Sequence, residues 1–527
     1  MADNQNTAKL QNRISLFLII TLVVVAVVVQ AQNMFQFPYF QDLEGTNLSN
    51  AWALIETGEL SPYTYVYEEP PVGSFIISLW VAVTGGFNAF GFSLYSGRVL
   101  MLLAHLVTTA LIFGITRKIS KNDIAAALAT LIFIFSPLSS SLQRLVLLDN
   151  LMVTFLLLSF YMVLGEHRRL GHYLASAILL GMAVLTKGSA IGFIPAFIII
   201  NRMVADERHR RFVAAQWITV VVFLISLYPM YAQMNLELFP QGTALGGDFP
   251  HVSLLERITD RGLDNGAFLN IGSGFDTSFN LWVDISTSNT ADPLLVYAGI
   301  ISGLFLVVLS IDSKQHRALL VMLVMFGLIL LFGGQIFSTD IIMGLPLLAI
   351  SIGVVVGAFI RLLAGNMKGI FRFALGTVLI AVVAYPFAIF YMERTDAHDL
   401  NQVAGQIEAI DWIVNTVPED AVIVTDNFAF VELRDTHPNT QHYWRVDTDP
   451  EIQYNLLDDD YCNVDYMILT PQVFADINAY GLDLNQRIFN NSERLLEYSN
   501  GGWPVEIRQI NKAFCGVEVA AETLVSE

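Results

Sequence analysis

Residues 14–29 read ISLFLIITLVVVAVVV, and residues 342–360 read IMGLPLLAISIGVVVGAFI. Neither run carries the polar stripe of a half-buried helix, which recurs roughly every 3.6 residues, and the second approaches the ~20 residues that a bilayer core requires. Such helices face lipid or one another. The rest of the 527 residues agrees, since 54% are hydrophobic, only 14% are charged and the mean hydropathy is +0.55. The fold class that follows is a polytopic α-helical membrane protein.

The net charge of −19 is unevenly spread. From Met392 to Glu527 there are 25 acidic against 7 basic residues, a balance of −18, so the membrane part is nearly neutral and one tail holds the acidity. An acidic tail of this kind argues against nucleic-acid binding and for a well-solvated domain.

Lys and Arg favour the cytoplasmic ends of membrane helices. The basic clusters are Lys9 with Arg13; Arg117, Lys118 and Lys121; Arg168 and Arg169; Arg202 to Arg211; Lys314 and Arg317; and Arg361, Lys368 and Arg372. Placing all of them inside predicts about eleven spans, near 14–31, 94–116, 123–139, 150–165, 171–186, 189–204, 212–232, 292–311, 318–334, 341–363 and 370–391. The N-terminus is then cytoplasmic and the C-terminal tail external (periplasmic, extracellular or lumenal). The apolar stretch Val72–Gly85 is too short for this series and breaks its parity, so it reads as an interfacial or re-entrant helix outside. Val29-Gln30-Ala31 also fits a signal-peptidase site, which leaves cleavage of the first helix as a competing reading.

Three pieces then lie outside: loop 32–93, loop 233–291, and the tail. The domain reading is 1–391 for the membrane part and 392–527 for an external acidic α/β domain. The cytoplasmic connections are short, and no Walker-type glycine loop occurs, which disfavours ATP-driven transport by this chain.

Residues 37–73 read FPYFQDLEGTNLSNAWALIETGELSPYTYVYEEPPVG. Asp42 and Glu44 follow an aromatic cluster, then come a small-residue helix ending at Gly58, Glu69-Pro70-Pro71, and Arg98 in the next span. Alone, either acid reads equally well as a solvated loop charge or a helix cap. Two later segments, Gln143-Arg144-Leu145-Val146-Leu147-Leu148-Asp149-Asn150 and Gly181-Met182-Ala183-Val184-Leu185-Thr186-Lys187-Gly188, also fall on the external side. In this order the motifs resemble the GT-C superfamily of membrane glycosyltransferases, and most closely the protein O-mannosyltransferases and lipid A aminoarabinose transferases. The resemblance covers about residues 14–232 in detail. It departs in two places: Glu69 stands where the family usually has Lys or His, and the acidic pair is Asp-x-Glu rather than adjacent.

The resemblance implies a glycosyltransferase that moves a hexosyl or pentosyl group from a polyprenyl-phosphate-linked donor to an external protein, lipid or glycan acceptor. It implies Asp42 as general base, with Glu44 in reserve, and Arg144, Lys187 and Arg98 at the donor phosphate. Asp149 would orient Arg144 or the sugar. For the three cations the plain alternative is snorkelling to the interface. No His and Cys spacing resembles a zinc site, and the histidines read as isolated; no cofactor is required, while a divalent metal held by the acids stays open. The rival classes are a secondary transporter or flippase, which would call for inverted repeats that are not evident, and a non-catalytic scaffold.

In loop 233–291, Asp248, His251, Arg257 and Arg261 read as a solvated surface with a glycine-rich neighbour. In the tail, a helix over 400–414 and strands at 421–425 and 466–470 predict a small α/β domain. Its compartment permits a disulfide between Cys462 and Cys515, though spacing alone does not establish it. Asp458-Asp459-Asp460 lacks the alternation of a calcium loop and reads as an acidic turn.

Overall fold

The computed structural model describes residues 2–165, 168–240, 253–263, 273–332, 336–364, 370–394 and 396–515. Asp248 and His251 lie outside these residues, as does the side chain of Arg261. By internal contacts the chain divides into two compact units. Met1–Pro38, Ala53–Leu60 and Tyr65–Leu400 form the first; Tyr39–Trp52, Ser61–Thr64 and Asn401–Glu527 form the second. The sequence reading set its boundary at residue 391 and gave loop 32–93 wholly to the membrane part. Contacts instead place the boundary at Leu400 and assign Tyr39–Trp52 to the unit that holds the tail. Hydrogen bonding explains the difference: Phe40 N–H donates to Gln406 Oε1 at 2.7 Å, Gln406 Nε2 donates back to Phe40 O at 2.8 Å, and Tyr39 stacks on Trp503.

The helices of the first unit and of the loop run in the order α1 (Ala2–Ala31), α2 (Asp42–Glu56), α3 (Val72–Thr84), α4 (Ser93–Ser120), α5 (Asp123–Phe135), α6 (Pro137–Arg144), α7 (Leu148–Val163), α8 (Leu170–Thr186), α9 (Ile194–Val204) and α10 (Arg210–Met234). They continue with α11 (Leu254–Leu263), α12 (Ser273–Val283), α13 (Pro293–Leu309), α14 (Lys314–Phe332), α15 (Leu345–Ala364) and α16 (Ile370–Met392). Among the described residues five helices are long and apolar enough to cross a bilayer: Arg13–Ala31, Ser93–Ser120, Arg210–Met234, Lys314–Phe332 and Ser338–Leu363. The remaining expected segments carry the bent pair α5–α6 and five shorter apolar helices, Leu148–Val163, Leu170–Thr186, Gly188–Val204, Pro293–Leu309 and Gly376–Met392. The segment after Pro71 is the 13-residue helix α3.

The expected single span over 123–139 is broken, because α5 and α6 meet at 64°. Pro137 lacks the N–H that would continue the ladder, and the bend is held from outside. Buried Asp292 accepts hydrogen bonds from Ser136 Oγ at 2.6 Å and Tyr391 Oη at 2.8 Å while capping α13 through the Leu295 N–H. One carboxylate thereby ties the α5–α6 corner to α13 and α16.

In the second unit, α17 (Ala404–Thr416) packs on a five-stranded sheet of β1 (Ile423–Thr425), β2 (Thr440–His442), β3 (Tyr466–Leu469), β4 (Ser492–Tyr498) and β5 (Val505–Ile510). The strand order is β2-β1-β3-β5-β4. The first three strands are parallel and the last two pairings are antiparallel. Ile423 and Ile468 on one face and Val424 and Met467 on the other are all buried, as a sheet covered on both faces requires. A disulfide joins Cys462 to Cys515, with 5.7 Å between the Cα atoms. In the acidic turn Asp459 pairs with Arg487 at 2.7 Å, and among the described residues no group of three or more His, Cys, Asp or Glu could hold a metal.

Candidate functional site

The two units carry separate polar centres. In the second unit Asp42 opens α2, and its Oδ1 accepts the Asn427 N–H at 3.0 Å and faces His442 Nε2 at 2.8 Å. Thr46, one turn further along α2, accepts from Asn427 Nδ2 at 2.8 Å. Glycine at position 45 makes this approach possible: a Cβ there would stand 2.1 Å from the Asn427 carbonyl carbon and 2.5 Å from the Phe428 nitrogen.

The partners of Asp42 come from equivalent places in the sheet. Asp426 follows β1, His442 ends β2 and Thr470 follows β3, so all three stand at the carboxyl ends of parallel strands. The chain lays β2 on one side of β1 and β3 on the other, which opens a crevice at that edge, the place where ligands bind in open α/β sheets. Here the crevice receives the start of α2. Asp426 is buried and accepts from the Phe428 N–H at 3.2 Å and Thr470 Oγ1 at 3.4 Å, beside Asp42.

Two carboxyl groups this close cannot both ionise cheaply. Burial and the neighbouring Asp42 charge raise the Asp426 carboxyl well above the usual range. Burial alone would also raise Asp42, but His442, the Asn427 amide and Asp426 outweigh it and hold Asp42 below the usual carboxylate range. The pair is thus an ionised Asp42 beside a protonated Asp426. With Asp42 ionised, His442 donates through Nε2–H, and its Nδ1 finds no partner among the described residues. The Asp42 side chain keeps 19% of its exposure, against 6% for His442. Glu44 is fully buried and accepts from the Gln41 N–H at 3.2 Å, a contact within its own helix start.

The first unit holds the other four candidates. Asp149 lies in the first turn of α7, where the helix dipole favours a negative charge, and its Oδ2 pairs with Lys187 Nζ at 2.6 Å. Lys187 caps the end of α8 in an extended conformation. Glu69 accepts from the Gly188 N–H at 3.2 Å, and both Glu69 and Asp340 act electrostatically on Lys187. Asp149 is therefore the partner of Lys187 rather than of Arg144. Arg98 donates to the carbonyls of Met34 and Pro38, each at 2.9 Å, and Arg144 to those of Val29 and Gln32 at 3.2 and 2.8 Å. Arg144 binds carbonyls at the end of α1, which a helix terminus leaves without intrahelical partners, and Arg98 binds carbonyls of the chain beyond it. Arg257 pairs with Glu68 at 3.0 Å.

Three of the residues in these centres escaped the sequence reading, His442, Asp426 and Asp340, while Glu69 stood out in it only as a departure from the family's basic residue. His442 is not isolated, because folding brings it across 400 positions to Asp42. The residues before it, Asn439-Thr440-Gln441, are polar and give no strand signal, whereas Asp426 closely follows the apolar run 421–424.

Residues 68–232 match the family described as dolichyl-phosphate-mannose-protein mannosyltransferase. No match is found among curated proteins. Among solved structures, ArnT from Cupriavidus metallidurans bound to undecaprenyl phosphate superposes with a TM-score of 0.55 at 14% identity, covering 93% of this chain and 97% of that one. The oligosaccharyltransferase AglB from Archaeoglobus fulgidus, in complex with an inhibitory peptide and a dolichol-phosphate, gives 0.54 at 13% identity, covering 94% of this chain and 74% of that one. The chain is a multi-pass membrane protein that shares the fold of these ArnT and AglB structures.

Proposed function

We propose that this chain transfers a sugar from a polyprenyl-phosphate-linked donor to a protein, lipid or glycan acceptor on the external face of the membrane. The observation that carries the reading is the likeness, over 93% of this chain and 97% of the other, to a structure of ArnT bound to undecaprenyl phosphate. Charge parity supports eleven crossings with a cytoplasmic N-terminus, an external loop 32–93 and an external C-terminal domain.

In this reading the acceptor oxygen bonds to the anomeric carbon, the carbon–oxygen bond to phosphate breaks, and its electron pair leaves with the lipid phosphate. The acceptor's proton passes to Asp42. Such general-base catalysis is worth roughly 10²- to 10⁴-fold. Asp42 suits the role because its environment keeps it ionised while part of the side chain stays accessible. A carboxylate has about four lone-pair sites. His442, Asn427 and Asp426 take three, which leaves room for an acceptor hydroxyl.

Lys187 is assigned to the developing charge on the donor phosphate, held in place by Asp149 and Glu69. Arg98 and Arg144 hold the backbone carbonyls of Met34, Pro38, Val29 and Gln32, so we assign them to fixing Val29–Pro38, the chain that leads to Asp42. Glu44 serves the start of α2 rather than the reaction.

The experiment is transfer of labelled lipid-linked sugars in membranes that contain the protein. Asp42→Asn is expected to lower transfer at least 100-fold with normal abundance and folding. Wild-type activity in that variant would remove Asp42 as the base.

A further inference from the structure

The carboxyl edge of the parallel strands gathers Asp426, His442 and Thr470 into the crevice where an α/β domain ordinarily binds a ligand. In this chain the crevice is occupied by Asp42 itself. His442 is 5% exposed, its Nε2 stands 2.8 Å from Asp42 Oδ1, and its own backbone N–H donates to Tyr63 Oη at 2.8 Å, so both ring and backbone are fixed. Burying an imidazole with one unpartnered nitrogen carries a desolvation cost. A purely structural role would be filled as well by an apolar side chain.

We infer that His442 is a positioning residue for Asp42: its Nε2–H, together with the Asn427 N–H, takes up Oδ1 and so orients the carboxylate toward the acceptor's proton. The inference rests on the reading of Asp42 as the base. It makes the C-terminal domain part of the catalytic apparatus rather than an acceptor-recognition module alone. Asp426 acts from the other side: protonated, it hydrogen-bonds to Asp42 and keeps a second negative charge out of the crevice. The titratable groups that face Asp42 are His442 from β2, Asp426 after β1 and Tyr443 next in sequence to His442.

The test is the pH dependence of transfer by the full-length protein in membranes, for the wild type and for His442→Ala, His442→Gln and Asp426→Asn. Loss of His442 removes the electrostatic influence that most lowers Asp42 together with the Nε2–H bond, so the acidic limb of kcat/KM should move to higher pH in His442→Ala, with kcat down about tenfold and KM for the lipid donor little changed. His442→Gln, which can present an N–H to the same oxygen, should restore part of kcat and return the limb toward the wild-type position. Asp426→Asn can also donate to Asp42 and should retain the wild-type limb. If His442→Ala fails to accumulate, His442→Gln and Asp426→Asn decide the matter.

A wild-type kcat and acidic limb in both His442 variants would overturn the inference, as would a uniform loss of activity with no displacement of the limb. The arms separate the two readings. Full activity in Asp42→Asn defeats the assignment of the base, whereas an inactive Asp42→Asn beside unaltered His442 variants defeats only the role of His442.

Discussion

The polar centre of the membrane unit and that of the C-terminal unit solve the same problem, charge in a buried place, in opposite ways. Around Lys187 the signs are mixed: one ammonium faces Asp149 directly, with Glu69 and Asp340 near it. Around Asp42 two acids stand together, and a proton, a histidine and a backbone amide take the place of a counter-cation. In the proposed reading the membrane unit stabilises a phosphate, a task that needs a cation already held in position by its neighbours. A unit that must accept a proton needs an ionised carboxylate whose companion stays neutral. Charge pairing suits the first task and proton sharing the second.

The largest effect should come from breaking the membrane pair. Lys187→Met would leave Asp149 buried and unpaired, a change that costs about 3–5 kcal/mol in comparable buried pairs, and thermal unfolding in detergent should reveal it. The double variant Asp149→Asn/Lys187→Met should recover much of that loss of stability while remaining inactive.

Crowding the other centre comes next. Gly45→Ala would drive a methyl group into the Asn427–Phe428 backbone, and overpacking of this kind costs about 1–3 kcal/mol. Because the nearest atoms are main chain, they cannot rotate away. Gly171→Ala in α8, where a Cβ meets nothing within 4 Å, is the control and should be neutral or slightly stabilising.

A smaller effect, read against pH, tests the shared proton. Asp426 has its carboxyl raised in the folded state, so it weakens the fold as pH climbs from the ordinary carboxylate range toward that raised value. Asp42 is lowered, so its contribution is present above about pH 4 and disappears as pH falls through its folded value. Asp426→Asn should therefore melt higher than wild type at neutral pH, with the gap narrowing toward pH 4. A gap that is constant across this range would mean that the two acids are not coupled.

The smallest effect belongs to the surface. Arg487 and Asp459 form an ion pair in which both side chains are more than two-fifths exposed, so Arg487→Ala should change stability by less than about 1 kcal/mol. Addition of a calcium chelator should leave the melting of the wild-type protein unaltered.

The five long apolar helices of the membrane unit were legible because such runs survive any tertiary arrangement. The parallel strands at 423–425 and 466–469 were legible for the same reason. The 64° corner at Pro137 was less so, since its cause includes Asp292, more than 150 positions away. Within the sites, Lys187 and Asp149 could be nominated from local motifs, but their pairing could not, because they lie 38 positions apart in the sequence. Asp42 was visible as a loop acid. Its environment was invisible, because His442 and Asp426 reach it only once the sheet has formed. Glu69, which looked like the loss of a basic residue, turns out to be a neighbour of Lys187.

The most direct test of the central claim is native mass spectrometry of the protein purified gently from its own membranes, followed by addition of a labelled polyprenyl-phosphate sugar. The account predicts a co-purifying polyprenyl phosphate whose occupancy falls in Lys187→Met, and release of the labelled sugar to an acceptor by the wild type. A preparation that carries no phosphate lipid, takes up none when it is supplied and transfers no sugar would contradict it.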